Sequence, residues 1–495
     1  MRPSSGSPSW VRDAVFYQIF PDRFARSGRT PQPAGLEPWD SPPSLHGYKG
    51  GDLAGITDRL DWLTDLGVDA VYLNPIFASA SSHRYHTHDY FKIDPLLGND
   101  AAFDAMLEGC HSRGLRVVLD GVFNHASRGF LPFNDLMENG ASSPWRDWFI
   151  VHEWPVNGYT TDPPSYEAWW GMAALPKLNT ENPEVRTYLM GVAEHWLRRG
   201  IDGWRLDVPE EITTEGFWEE FRTRVRTVNP DAYLVGEVWG DATAWIGDGS
   251  RFDATMNYPF TEAAIAFAVG SRVDLAVVEP VPYSVSPPLD GDGYSQRITR
   301  LLASYPDDTN LANLNLLGSH DTPRIRSVAG GDARSVELAM VLMLTFPGAP
   351  CIYYGDEVGL LGEHDPGCRG TFPWDDPDRW DRGILQTVKE LIALRRSHSG
   401  LRSPVYEALW PPHPGPKMHV ARRGDSPAVI VAVNAGDSSE TARCRLGDVQ
   451  QVWGTGRVVG SDLTVPARSA AIWVETAPQV EQAGGAEARP RATRT

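Results

Sequence analysis

Asp120, Asp207, Glu237 and Asp321 each stand near the end of a short apolar run, and Arg205 precedes Asp207 by two residues. A carboxylate beside an apolar core is costly unless it is paired or put to use. Residues two apart on a strand point to the same face, so Arg205 meets Asp207 and keeps it ionised, as a nucleophile requires. Glu237 lies between Val235 and Trp239 with no adjacent cation, which favours its protonated form and suits a general acid. Two carboxyls with opposed environments are the equipment for glycoside hydrolysis. With Asp207 as nucleophile, the two groups should stand ~5–5.5 Å apart and the anomeric configuration should be retained. Structural ion pairing is the alternative, and position alone weighs the two readings evenly.

Such residues need a scaffold that gathers strand ends. Eight apolar runs rich in Val, Ile, Tyr and Phe stand at 15–21, 68–77, 115–123, 201–208, 232–239, 253–260, 313–320 and 351–356. Being apolar on nearly every position, they suit a parallel sheet covered on both faces. Helical patterns alternate with them: Ile56, Leu60, Leu63 and Leu66 before Gly67; Phe103, Met106, Leu107 and Cys110 before Gly114. A third opens at Asn182-Pro183 and is lined by Val185, Leu189, Val192 and Trp196. The alternation predicts an α/β fold, a closed (β/α)8 TIM barrel over 10–402. Its functional groups would lie at the C-terminal strand ends.

Residues 126–180 carry Pro, Gly, Asn and Trp without a helix or strand period, and predict a small B subdomain inserted after the third strand and folding over the barrel mouth. Short alternating strands after 402 predict a C-terminal β-sandwich over 403–475. Residues 1–9 and 476–495 are expected to be disordered.

A formal charge of −19 argues against nucleic acid as a partner. No apolar run approaches the ~18 residues of a membrane span, which argues against a membrane. The opening MRPSSGSPSW has no apolar leader core, so the expected location is the cytoplasm. Four dispersed cysteines match no metal or redox spacing and read as free thiols. Eighteen Trp and sixteen Tyr supply flat rings, most for the core and some able to stack on sugars.

Four stretches resemble the four signatures of the α-amylase family, glycoside hydrolase family 13: DGVFNH at 120–125, GWRLD at 203–207, GEVW at 236–239 and LLGSHD at 316–321. The likeness also takes in QIFPDRF at 18–24, GGDLAGI at 50–56, YYGDE at 353–357 and DPGCR at 365–369. It implies that Asp207 is the nucleophile, Glu237 the acid and then the base, and Asp321 the stabiliser of an oxocarbenium-like transition state. It implies further that His125 and His320 hold sugar hydroxyls, Arg205 orients Asp207, Tyr85 stacks beneath the sugar, and Asp365 and Arg369 contact the next sugar. Asp120 reads as structural and Asn124 as ligand or scaffold. His86 stands where close relatives often have an acid.

LPKLN at 175–179 is similar to the MPKLN signature of the neopullulanase, cyclomaltodextrinase and maltogenic amylase subfamily. That implies a hydrolase of starch-type α-glucan oligosaccharides, acting by double displacement on α-1,4 bonds, with α-1,6 bonds a further target. A glucanotransferase on the same scaffold is the alternative, and a catalytically silent sugar-binding member a third reading. Pro209 departs from the subfamily's usual Ala-Asn after the nucleophile strand. The barrel begins by residue 15, so the N-terminal β domain through which those enzymes dimerise is not expected, and the oligomeric state stays open. No cofactor is expected. Nor is calcium, because the ARSGRTPQPAG loop after PDRF has no acidic residue and few oxygen side chains.

Overall fold

In the computed structural model, residues 6–279, 287–409 and 417–475 are described. Eight parallel strands run β1 Phe16–Ile19, β2 Ala70–Leu73, β3 Arg116–Gly121, β4 Gly203–Leu206, β5 Tyr233–Gly236, β6 Ala254–Thr255, β7 Leu314–Asn315 and β8 Ala349–Tyr353. Hydrogen bonding orders them β6-β5-β4-β3-β2-β1-β8-β7. A parallel bridge between Met256 and Leu314 closes the ring, with the Asn257 N–H donating to the Leu314 carbonyl at 2.8 Å. Seven of the eight expected runs contain a barrel strand, and the eighth, 351–356, overlaps only the end of β8, which starts two residues earlier at Ala349. Val71, Val117, Leu119, Trp204 and Leu234 are all buried, as a sheet covered on both faces requires.

The helices around the ring follow their local signals. Pro183–Arg198 starts on Asn182, whose side chain accepts from the Glu184 N–H at 2.8 Å, with Pro183 at the first helical position. Its stripe of Val185, Leu189, Val192 and Trp196 is buried on the barrel. The single helix expected through Leu66 is two, Leu53–Asp58 and Leu60–Leu66, broken at Arg59. The second ends on Gly67 at φ 96°, a conformation natural to glycine. The expected strand at 253–260 holds only two strand residues, because Asn257 caps the helix Tyr258–Ala268 with Pro259 in its first turn.

The aperiodic stretch 126–180 contains more order than its sequence suggests. It includes the helix Leu131–Asn139, with Phe133 and Leu136 buried, and isolated bridges Val151–Tyr166 and Ala168–Pro176. His125 and Lys177 pair across its base, so both ends of the insertion are tied at the end of β3. Pro8, expected within the disordered N-terminus, is buried and its carbonyl accepts from the Val11 N–H. Residues 1–5 of that expectation, and the expected tail 476–495, lie outside the described residues.

Near the rim, the buried ammonium of Lys49 gathers a loop around itself. It donates to the Pro38 carbonyl at 2.8 Å and to the Ser41 carbonyl and hydroxyl at 2.6 Å each, and lies 3.2 Å from Glu37 Oε2.

After the last barrel helix, Arg382–Ser397, the chain forms two antiparallel sheets of five and three strands. Met418, Ile430, Ala442, Leu463 and Trp473 from both sheets make their shared core. Arg423 ties this unit to the barrel, donating to the carbonyls of Ser403 at 2.7 Å and Thr345. His419 also joins the two units, its ring nitrogens 2.7 Å from Ser295 Oγ and 2.6 Å from the Tyr406 hydroxyl.

Candidate active site

Strand register brings the carboxylates together. Asp120 on β3 is the register partner of Arg205 on β4, and Arg205 is the partner of Val235 on β5. Asp207 and Glu237 each follow by two residues and therefore point the same way. Arg205 is fully buried among them: Nη1 donates to Asp120 Oδ1 at 2.8 Å and to Asp207 Oδ1 at 2.9 Å, while Nη2 lies 2.7 Å from Glu237 Oε2. The expectation that Glu237 lacks a cation is therefore wrong. The cation comes from the neighbouring strand, where sequence adjacency cannot reveal it.

A second cluster surrounds Asp321. Its Oδ2 lies 3.0 Å from His320 Nε2, and its Oδ1 accepts from Arg369 Nη2 at 3.1 Å. Arg369 also pairs with Asp365 at 2.9 Å and donates from Nε to the His320 carbonyl at 2.9 Å. The Gln18 amide donates to His320 Nδ1 at 3.0 Å, leaving the ring proton on Nε2.

Tyr85 joins the two clusters. Its hydroxyl donates to Asp120 Oδ2 at 2.7 Å and sits 2.6 Å from His320 Nε2, with the two rings stacked at 5.3 Å. The Asn74 side chain donates to the same hydroxyl at 3.0 Å, and the Tyr72 hydroxyl donates to Asp120 Oδ2 at 2.8 Å. Asp120 is thus spent on Arg205 and two tyrosines. Gln18, Tyr72 and Asn74 were not foreseen; their signal was their place at the ends of β1 and β2.

His125 is buried at the end of β3 and stacks on Trp169 of the insertion, ring centroids 5.1 Å apart and 14° from parallel. Nothing periodic marks Trp169 in the sequence. Lys177, in the LPKLN stretch, places its ammonium 3.1 Å from Glu211 Oε2 and 3.2 Å from the Glu211 carbonyl, tying the insertion to the turn after β4. In that turn Val208 is left-handed (φ 35°), and its N–H donates to Glu237 Oε2 at 3.3 Å.

Burial dominates the proton affinities. It pushes the Glu237 carboxyl up to about 7 against the pull of Arg205, with Asp321 adding repulsion. Burial also raises Asp207 well above the carboxylate range, again against Arg205. The expectation that Arg205 alone holds Asp207 ionised needs correction, since one guanidinium is divided among three carboxylates. Buried carboxyls this close favour holding a proton between them over ionising together. Asp321 goes the other way: burial opposes its charge, yet His320 and Arg369 hold it well below the usual range. Burial lowers His125 to about 3 and His86 to about 4, so both rings are neutral near pH 7. The mouth therefore offers a shared proton, a firmly ionised carboxylate opposite, and neutral donors around them. Acid–base and nucleophilic chemistry on a neutral, hydroxyl-rich ligand is within its reach.

Among the described residues no group of three His, Cys, Asp or Glu is arranged to hold a metal ion. No described helix is long and apolar enough to cross a membrane.

The model of the alpha-amylase catalytic domain matches residues 18–379. A cyclomaltodextrinase of Geobacillus thermopakistaniensis is 46% identical over 399 residues, 80% of this chain; the chain thus spans 64% of that relative's length. Among solved structures, a debranching enzyme of Nostoc punctiforme soaked with acarbose is 48% identical with a TM-score of 0.85, covering 95% of this chain and 99% of that one. A cyclic α-maltosyl-(1→6)-maltose hydrolase of Arthrobacter globiformis is 35% identical with a TM-score of 0.84, covering 94% and 99%.

Proposed function

The chain belongs to the α-amylase family, and from that premise we propose that it is a retaining hydrolase of α-glucosidic bonds in maltodextrins, cyclodextrins or pullulan. One observation carries the reading: Asp207 and Glu237 are gripped by the two terminal nitrogens of a single buried guanidinium. That arrangement favours the short carboxyl separation of a double displacement over the wider gap that admits a water.

In the proposed reaction Asp207 attacks the anomeric carbon as Glu237 gives its proton to the departing glycosidic oxygen. The bond to that oxygen breaks and a glycosyl ester forms on Asp207. Water then attacks the same carbon and gives up a proton to Glu237, and the ester bond breaks, restoring the Asp207 carboxylate and a protonated Glu237. Asp321, ionised beside His320 and Arg369, stabilises the positive charge that develops on the sugar ring. Tyr85 supplies the flat surface beneath the sugar, and His125 and His320 hold its hydroxyls. Asp365 and Arg369 contact the neighbouring unit. The names of the relatives, a cyclomaltodextrinase, a debranching enzyme and a cyclic α-maltosyl-(1→6)-maltose hydrolase, favour substrates of the starch type with both α-1,4 and α-1,6 bonds. Four buried cysteines without disulfides favour a reducing compartment, the cytoplasm.

The test is incubation with β-cyclodextrin, pullulan, starch and maltotriose, with NMR of the first anomer released. Early appearance of the α-anomer supports retention. The β-anomer appearing first would overturn the double displacement, and predominant formation of longer glucans would favour a transferase.

A further inference from the structure

We infer that the outer face of Trp170 is a stacking platform for a glucosyl unit of a longer chain, beyond the sugar held at the carboxylates; this rests on the α-glucan reading. Trp169 is sandwiched between two rings. His125 lies on one side at 5.1 Å, and Trp170 on the other at 4.6 Å and 17° from parallel. The three rings form a stack that begins at the buried end of β3 and ends at the surface, where Trp170 is 73% exposed.

Trp170 is the most exposed of the large hydrophobic side chains among the described residues, so one face of its indole is open to a planar ligand. Trp170 is also held at φ 50°, ψ 27°, a region bulky side chains rarely adopt. Its ring lies 17° from parallel with that of Trp169, and backbone strain of this kind clusters at ligand sites.

The occupant follows from the chemistry. Pyranose rings present flat C–H faces that stack on indole and hydroxyl edges that need donors. The formal charge of −19 makes a second copy of this chain a self-repelling partner, whereas a neutral glucan meets no such penalty. Continuity with His125 sets the direction, outward from the catalytic sugar.

The experiment compares maltoheptaose with p-nitrophenyl α-maltoside. Trp170→Ala should raise the KM for maltoheptaose about tenfold, the worth of one aromatic contact, with kcat and the short substrate within about twofold. Trp170→Phe should recover most of the loss. Trp170→Gly should lose the platform equally while melting no lower than wild type, because glycine accepts φ 50° without strain. An unchanged KM for maltoheptaose, or an equal rise for both substrates, would overturn the platform. Calorimetric titration of maltoheptaose into Asp207→Asn, with and without Trp170→Ala, reads the platform without turnover. Equal affinities there would also overturn it, whereas wild-type protein inert on every glucan would fail the hydrolase reading instead.

Discussion

At Arg205 one cation serves three carboxylates, and the consequences are measurable. Asp207→Asn should keep the melting temperature within a few degrees and cut kcat by at least about 10⁴-fold, since losing a covalent nucleophile costs orders of magnitude. Stopped assays at high enzyme concentration would check this, and residual activity above about a hundredth would refute the covalent role. The pH profile follows from the raised acid. Glu237 must be protonated to act, so kcat/KM should fall as pH rises through about 7, its carboxyl value. On the other side Asp207 must be ionised. Its raised affinity puts the acidic limb above the ordinary carboxylate range, giving a narrow bell. Glu237→Gln should abolish the alkaline limb along with most of the activity. A flat profile from pH 5 to 9 in the wild type would contradict the assignment.

Elements decide which of these residues meet. Asn182→Ala removes the cap of the helix Pro183–Arg198, and should lower stability by about 1 kcal/mol with activity at moderate temperature unaltered. A thermal melt alongside an activity assay reads both. Much of this level was legible beforehand. Mostly apolar runs such as 115–123, broken only by Arg116 and by Asp120-Gly121 near its end, carry their own signal for a covered parallel strand. Asp207, Glu237 and Asp321 stood out because charge at the end of such a run is expensive. What stayed hidden was lateral. The Arg205–Glu237 contact depends on β4–β5 register, and the His125–Trp169 stack on an insertion whose order comes from tertiary contacts instead of periodicity. The length of β6 was over-read because Asn257 and Pro259, a helix-start signal, sat inside an apolar run.

For the whole molecule, the C-terminal sheets and the barrel are joined through buried polar groups. Arg423 is the clearest: replaced by Met, it would leave the carbonyls of Thr345 and Ser403 without their donor. A loss of about 3 kcal/mol in overall stability is expected, with chemical denaturation as the readout. Should the two parts then unfold in separate steps, Arg423 is what couples them; an unchanged midpoint would mean the interface holds without it.

The lysine at the rim has a different consequence. A positive centre that knots the 37–49 loop is here part of the polypeptide, so it cannot be diluted away, exchanged or chelated. Prolonged dialysis against EDTA should leave the melting curve superimposable on the original, whereas Lys49→Met should unravel that corner in any buffer.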